Sequence, residues 1–497
     1  MRRASVVRVT APNQVLPVPP ADLPGTLGAL RAAGHGYKSV KQELRDNLLA
    51  RMRAGGDRFP GIVGYDDTVL PEVERALLAG HDMVLLGERG QGKTRLIRSL
   101  VALLDEWTPV IEGSALNEHP MRPLTPASRA LVAEAGDDLP VGWLHRSMRY
   151  GEKLATPDTS VGDLIGDVDP IRLAQGRTLG DPETIHFGLV PRTNRGIFAV
   201  NELPDLAERI QVALLNVLEE RDIQVRGYQL RLPLDLLLVA SANPEDYTNR
   251  GRIITPLKDR FGAEVRTHYP VDLDLELALI RQEADLVAEV PEHVLEVLAR
   301  FARAVRESPS VDPRSGVSAR FAIAAAETVA AAALRRSGLL AAGSASSAAG
   351  DEAVRPEAPV ARVGDAVSVT STLRGKVEFE SGEEGREIEI LAHLLRTATA
   401  ETFRARLAGL DLSGFTALVA EGTVIETGEL VSSAELLRQV GTVPGLAKAL
   451  DRLGLGDAPT PEEAAAGVEF VLEGLHLTRR LGKDVTESGR TVYGGRS

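Results

Sequence analysis

Two short stretches of this sequence carry residue types that act on phosphate. The first, Gly87-Glu88-Arg89-Gly90-Gln91-Gly92-Lys93-Thr94, fits G-x-x-x-x-G-K-[ST] at every position. Its glycines let backbone N–H groups close on phosphate oxygens, and the helix that follows adds positive potential at its start. Lys93 reaches the terminal phosphates, and the Thr94 hydroxyl suits a magnesium ion. Gln91 and Arg95 flank these groups and complete the candidate nucleotide contacts. The second stretch, "RGIFAVNELPDL" at 195–206, is a short apolar run from Ile197 to Val200 that ends in Asn201-Glu202. Two acids at such a strand end hold the magnesium water shell and activate the attacking water. Here only Glu202 is an acid. An amide still accepts a hydrogen bond from a metal-bound water but removes one negative charge. At a strand end water can satisfy either side chain, so exchanging Asn201 for Asp is expected to spare the fold.

The elements that position these residues follow from the apolar pattern. Strands are predicted at 82–86, 107–111, 196–200, 235–240 and 262–267, separated by helical stretches, which is the pattern of a parallel sheet between helices. After the loop, Ile97, Leu100, Val101 and Leu104 recur at helical spacing. Residues 1–55 read as a Pro-rich arm and an amphipathic helix with Val40, Leu44, Leu48 and Met52 on one face. The nucleotide-binding core is then expected over 56–270 and a helical lid over 271–340. The small, polar, Pro-bearing run 341–365 has the composition of a linker. A mostly helical region, 366–497, follows it, with "EIEILAHLLRTATAETFRARLAGL" as its clearest helix.

Composition narrows the function classes. The 497 residues suffice for several domains, and the absence of cysteine excludes disulfides, thiolate metal sites and cysteine nucleophiles, which suits a reducing, cytoplasmic setting. A net charge of −13 argues against broad nucleic-acid binding. The Ala-rich "FAIAAAETVAAAALRR" carries Glu327 and reads as a packed helix, so no membrane span is expected. The N-terminal "MRRASVVRVTAPNQVLPVPP" lacks a continuous apolar stretch and reads as an arm, not a signal peptide.

Three further signals stand in order along the chain. "SANPED" places Asn243 at the end of a strand, where it can orient a water; "PLKDRFG" offers Asp259 and Arg260; and "VSARFAIAAA" offers Arg320 at a helix start. With "FPGIVGYDD", "GERGQGKT" and "HFGLVPRTNRGIFAVNELPDL", these make residues 57–335 resemble the AAA+ ATPases of the magnesium-chelatase subunit I and MoxR group. The resemblance implies an αβα P-loop sandwich with a helical lid, ATP and Mg2+ as ligands, and Ile62, Val63 and Gly64 beside the base. It implies that Glu202 polarises the attacking water and that Asn243 is the first sensor. Arg260 becomes the finger that reaches a neighbour's γ-phosphate, and Arg320 the second sensor, acting across the interface if inserted helices displace the lid. A finger needs a neighbour, so a homo-oligomeric ring, commonly of six, is implied, together with a von Willebrand factor A-type partner protein. The departure is Asn201, where the group has Asp; weak magnesium binding with working hydrolysis is expected, and a catalytically weak ATP-binding scaffold is the alternative.

The remaining features are weaker. The block 151–189 matches where the group inserts hairpins and an extra helix. Asp158, Asp163, Asp167 and Asp169 have mixed spacing that fits no metal loop, and His145 and His186 are isolated, so all read as structural. The glutamates of "VEFESGEEGREIE" read as a charged helix entry. The expected function is an ATP-driven motor that remodels a partner protein or loads a cofactor, with a tetrapyrrole metal chelatase subunit as the runner-up. Transcriptional activator ATPases resemble the same core, but no "GAFTGA"-like loop occurs.

Overall fold

The computed structural model describes residues 17–168, 185–219, 223–225, 228–230, 232–243, 252–312, 316–347, 357–486 and 490–494, with only the backbone considered at 218, 223–225, 228–230 and 343–347. These fall into two compact units. One comprises the chain up to Gly87 and Gly92–Thr267, and the other Glu88–Gln91 and the chain from His268.

The first unit is built on a five-stranded sheet. In chain order its strands are β1 (Met83–Leu86), β2 (Tyr150–Leu154), β3 (Gly196–Asn201), β4 (Leu236–Ala242) and β5 (Ala263–Arg266). They lie side by side as β5-β1-β4-β3-β2, every pair parallel. Strict alternation divides their side chains between two cores. Met83, Leu85, Ile197, Ala199, Leu237, Val239 and Val265 face one core, which the helices Val40–Ala54, Val69–Ala79 and Lys93–Ser99 cover. Val84, Leu86, Phe198, Val200, Leu238 and Ala240 face the other, covered by the helices Glu208–Glu219 and Thr255–Arg260. Strands buried on both faces are the reason the apolar runs are continuous instead of alternating with polar residues.

Four of the five predicted strands lie in this sheet; the stretch 107–111 does not. Trp107–Ile111 pairs antiparallel with Val141–His145 in a separate hairpin, whose Ile111 and Val141 bury against Leu27, Leu30 and Leu139. The fifth place goes to β2, at the head of the block 151–189 that was read as an insertion. Its sequence, YGEKL, has no apolar run because it is an edge strand, with Leu154 57% exposed. Two glycines let β2 and β3 close up: a Cβ at Gly151 would strike the Thr193 hydroxyl, and one at Gly196 the Arg149 carbonyl. Beyond β2 the block does hold a short helix, Val161–Leu164, and Gly166–Val168 pairs with Ile185–Phe187; Asp169 lies outside the described residues.

The N-terminal helix packs as expected, with Val40, Leu44 and Leu48 fully buried, Ser39 capping its start and Gly55 in the left-handed conformation at its end. It is anchored by a buried ion pair. Arg149 donates through Nη1 and Nη2 to Glu43 at 2.6 and 2.7 Å and through Nε to the Arg195 carbonyl at 2.7 Å. Arg149 is wholly buried and Glu43 2% exposed.

The second unit has one apolar core that runs from Leu277 to Tyr493. The helices Glu292–Glu307 and Ala319–Ser347 share it with the helices Glu387–Leu407 and Pro461–Leu477 and with a small three-stranded antiparallel sheet. The stretch 341–365 read as a linker is helical through Ser347, and Val360, Ala361 and Arg362 at its far end are buried. Small polar residues suit a helix end as well as a linker, and residues 348–356 of the stretch lie outside the described residues. No described helix is long and apolar enough to cross a membrane.

Candidate nucleotide site

The carboxyl ends of β1, β3 and β4 finish level with one another: Leu86 pairs with Ala242, and Val200 with Ala240. In open α/β sheets this edge is where ligands bind. The loop that leaves β1 begins with Gly87, whose amide donates to the Ala242 carbonyl at 3.2 Å. Gly90 and Gly92 both have φ of +76°, a conformation that a side chain would strain. Gly90 also lies so close to Ser318 that no Cβ fits. The helix Lys93–Ser99 starts directly from Gly92.

Lys93 is 7% exposed. Its ammonium group donates to the Gly87 carbonyl and, at 2.7 Å, to Asn243 Oδ1. Asn243, 4% exposed, donates in turn through Nδ2 to Glu202 Oε2 at 2.6 Å. Three residues named from sequence thus form one hydrogen-bonded chain across the ends of β1, β4 and β3. Glu202 itself has φ of +56°, which turns it out of the strand direction, and its amide donates to Ser241 Oγ at 3.3 Å. A left-handed non-glycine residue at such a place is a feature of working sites.

Asn201 departs from expectation. It is 7% exposed, and both ends of its amide meet protein groups. Nδ2 donates to Glu152 Oε1 at 2.5 Å, and Oδ1 accepts from Ser241 Oγ at 3.2 Å. Asn201, Ser241, Glu152 and Tyr150 all face the layer of the helix Lys93–Ser99, because Glu152 stands beside Ala199 and Tyr150 beside Ile197 in register. From that helix Arg98 donates to Glu152 at 2.9 and 3.1 Å, and the Tyr150 hydroxyl donates at 3.1 Å. The Glu152 carboxylate raises the pKa of Arg98, and burial followed by the same carboxylate raises that of Tyr150. The expectation that Asp at 201 would spare the fold is therefore corrected: its carboxylate would meet that of Glu152. Sequence reasoning missed Glu152, Arg98 and Tyr150. No pattern within YGEKL marks this strand; only its pairing with β3 does.

The remaining named residues take these places. Ile62 packs partly buried on the core beneath the loop helix, with its amide bonded to the Phe59 carbonyl at 3.2 Å. Val63 and Gly64 follow it, Gly64 with φ of +81°. Arg95 donates through Nε to the Gly61 carbonyl at 2.9 Å, fastening this segment to the loop helix. Thr94 is half-buried at the first turn of that helix and Gln91 is 9% exposed. Arg260 lies at the end of the helix Thr255–Arg260 in an ion pair with Glu219. Arg320 is exposed in the second unit, its amide donating to Ser318 Oγ at 3.1 Å. Asp163 closes a capping box with Ser160, Asp167 accepts from the Val168 amide, and among the described residues no cluster of three or more acidic or histidine side chains is placed to hold a metal by itself.

Comparison with known proteins finds curated relatives over nearly half of the chain. The magnesium-chelatase 38 kDa subunit of Cereibacter sphaeroides is 31% identical over 232 residues, 45% of this chain and 62% of that protein. Over these residues the chain is similar to a magnesium-chelatase subunit. Subunit ChlI of the magnesium chelatase of Guillardia theta is 29% identical over 236 residues, 46% of this chain and 62% of the relative. The match thus spans about three fifths of the length of these curated relatives. Among solved structures, a complex of the BchI and BchD subunits of magnesium chelatase aligns with 67% of this chain and 98% of its own at 23% identity, with a TM-score of 0.33. No family model matches.

Proposed function

We propose that this AAA+ chain hydrolyses Mg-ATP and uses the energy, in a homo-oligomeric ring, to remodel a partner protein or load a cofactor. The observation that carries the reading is the Lys93–Asn243–Glu202 chain at the strand ends. The residues present suit the ligands: two left-handed glycines open the loop backbone, and a buried ammonium donates to the Gly87 carbonyl and Asn243 Oδ1, acceptors that phosphate oxygens can replace. Thr94, with Asn201 and Glu202 through water, would hold magnesium, which supplies neutralisation of the phosphate charge. Lys93 binds the terminal phosphates. Asn243 fixes the Glu202 carboxylate, which orients a water for in-line attack and accepts its proton. Ile62, Val63 and Gly64 line the base, Arg260 completes a neighbour's site, and Arg320 senses the nucleotide. A von Willebrand factor A-type protein is the proposed partner.

A second reading, the motor subunit of a chelatase that inserts magnesium or cobalt into a tetrapyrrole, is favoured by the names of the relatives. Purified protein tests the shared step. Lys93→Ala is expected to lose nucleotide binding or turnover, and Glu202→Gln to bind ATP but hydrolyse it at least about a hundredfold more slowly, the scale of removing one aligned catalytic group. Parent-like turnover in both variants would refute the site.

A further inference from the structure

The carboxylate that the group places at position 201 has a counterpart one strand away. Glu152 sits on β2 at the same end of the sheet, with its side chain 17% exposed. It accepts hydrogen bonds from Asn201 Nδ2, Arg98 Nε and Nη2, and the Tyr150 hydroxyl. A carboxylate that collects four donors is fixed in place. Arg98 lies four residues beyond Thr94 on the helix Lys93–Ser99, so the two share a helix face about one turn, or ~5–6 Å, apart. The carboxylate, with Arg98 as its counter-ion, is thus fastened to the helix that carries Thr94.

The amide at 201 fits this arrangement as a carboxylate would not. Its Nδ2 must face Glu152, an acceptor only, which turns Oδ1 the other way, toward Ser241. Oδ1 has a second lone pair for a water, and a carboxylate bonded to the amide nitrogen polarises the group and makes that oxygen a better acceptor. We propose that Glu152 is a positioning residue that carries, one strand over, the negative charge position 201 lacks, so that the Asn201–Glu152 pair acts on the magnesium water shell as a single Asp would. The inference rests on the nucleotide-site reading above and adds the residue that sets its affinity for the metal.

The test measures binding, not turnover. Parent, Glu152→Gln, Asn201→Asp and the double variant are compared for ADP affinity without metal, for Mn2+ affinity of the ADP complex by electron paramagnetic resonance of free Mn2+, and for unfolding temperature. Metal-free ADP affinity is expected to stay within about threefold throughout, while Glu152→Gln weakens Mn2+ binding roughly tenfold, the effect of one charge removed from a partly screened site. Asn201→Asp melts at lower temperature because two carboxylates then meet. The double variant, with the charge returned to 201, recovers both properties. Mn2+ affinity unchanged in Glu152→Gln, even with a lowered melting temperature, makes Glu152 a packing anchor and overturns the proposal. So does a double variant as weak in Mn2+ binding as Glu152→Gln. A parent that binds no ADP overturns the site reading and this inference together.

Discussion

A histidine shut away from water shows how one residue sets a pH limit. His293 is fully buried in the second unit, its ring 4.9 Å from that of Phe470, and burial, with Arg406 nearby, pushes its pKa down to about 3. In the unfolded chain the ring titrates near 6.5. Between about 6.5 and 3, then, the unfolded state takes up a proton that the folded state refuses, so stability is intact above that window and falls as pH drops through it. His119 in the first unit, also pushed down to about 3 by burial with Arg195 beside it, behaves the same way. His293→Leu is expected to flatten the acid loss of stability in the second unit alone, seen as a shallower dependence of its unfolding transition on pH between 6.5 and 4. An unchanged pH profile would show that another group governs the acid limb.

At the scale of elements, the buried Arg149–Glu43 pair holds three segments together: the helix Val40–Ala54, the entry to β2 and, through the Arg195 carbonyl, the entry to β3. Removing one partner strands a charge in the interior. Glu43→Ala is expected to cost the first unit about 3–5 kcal/mol in urea unfolding, whereas Glu43→Leu with Arg149→Met should recover most of it, because a well-packed apolar pair needs no desolvation of charge. A Glu43→Ala loss below about 1 kcal/mol would mean that water reaches Arg149. The Asn201 site depends on the same scaffold, since β2 carries Glu152. What the sequence revealed and concealed follows the same division. The doubly buried β1, β3 and β4 were legible as apolar runs, and with them Lys93, Glu202 and Asn243, because burial leaves a pattern within each strand. The edge strand β2 was not legible. Its place depends on pairing with β3, a contact between residues almost fifty positions apart in sequence, and the apolar run 107–111 was equally suited to a hairpin. Glu152 stayed hidden for the same reason: a glutamate on an exposed-looking segment gives no sign of the four donors that the fold brings to it.

For the whole molecule, the decisive question is whether sites work alone. Arg260 is held by Glu219 on the helix that follows β3, with about half of its side chain exposed, so it must leave that ion pair to reach a neighbour's phosphate. An exposed pair of this kind is worth little, and release costs under about 1 kcal/mol. Hydrolysis is therefore expected to rise steeply with protein concentration. Mixing Arg260→Ala with Glu202→Gln subunits, each inactive alone, should restore part of the activity, because some interfaces then contain both groups. Steady-state ATPase rates on the mixtures decide this, and a rate per subunit that is independent of concentration would sink the idea.

The second unit bears on how such a protein can change over time. Phe301 and Phe321 bury in the same core as Leu391, Phe403, Phe415 and Phe470, and Arg406 pairs with Glu296 beside it, so the two halves of that unit share one interior. A deletion or recombination that cut the chain between residues 340 and 366 would expose both halves of one apolar interior. The helices Glu292–Glu307 and Ala319–Ser347 and those of the C-terminal region are therefore expected to be gained, lost or exchanged as a single heritable block, with divergence within either half constrained by compensating change in the other.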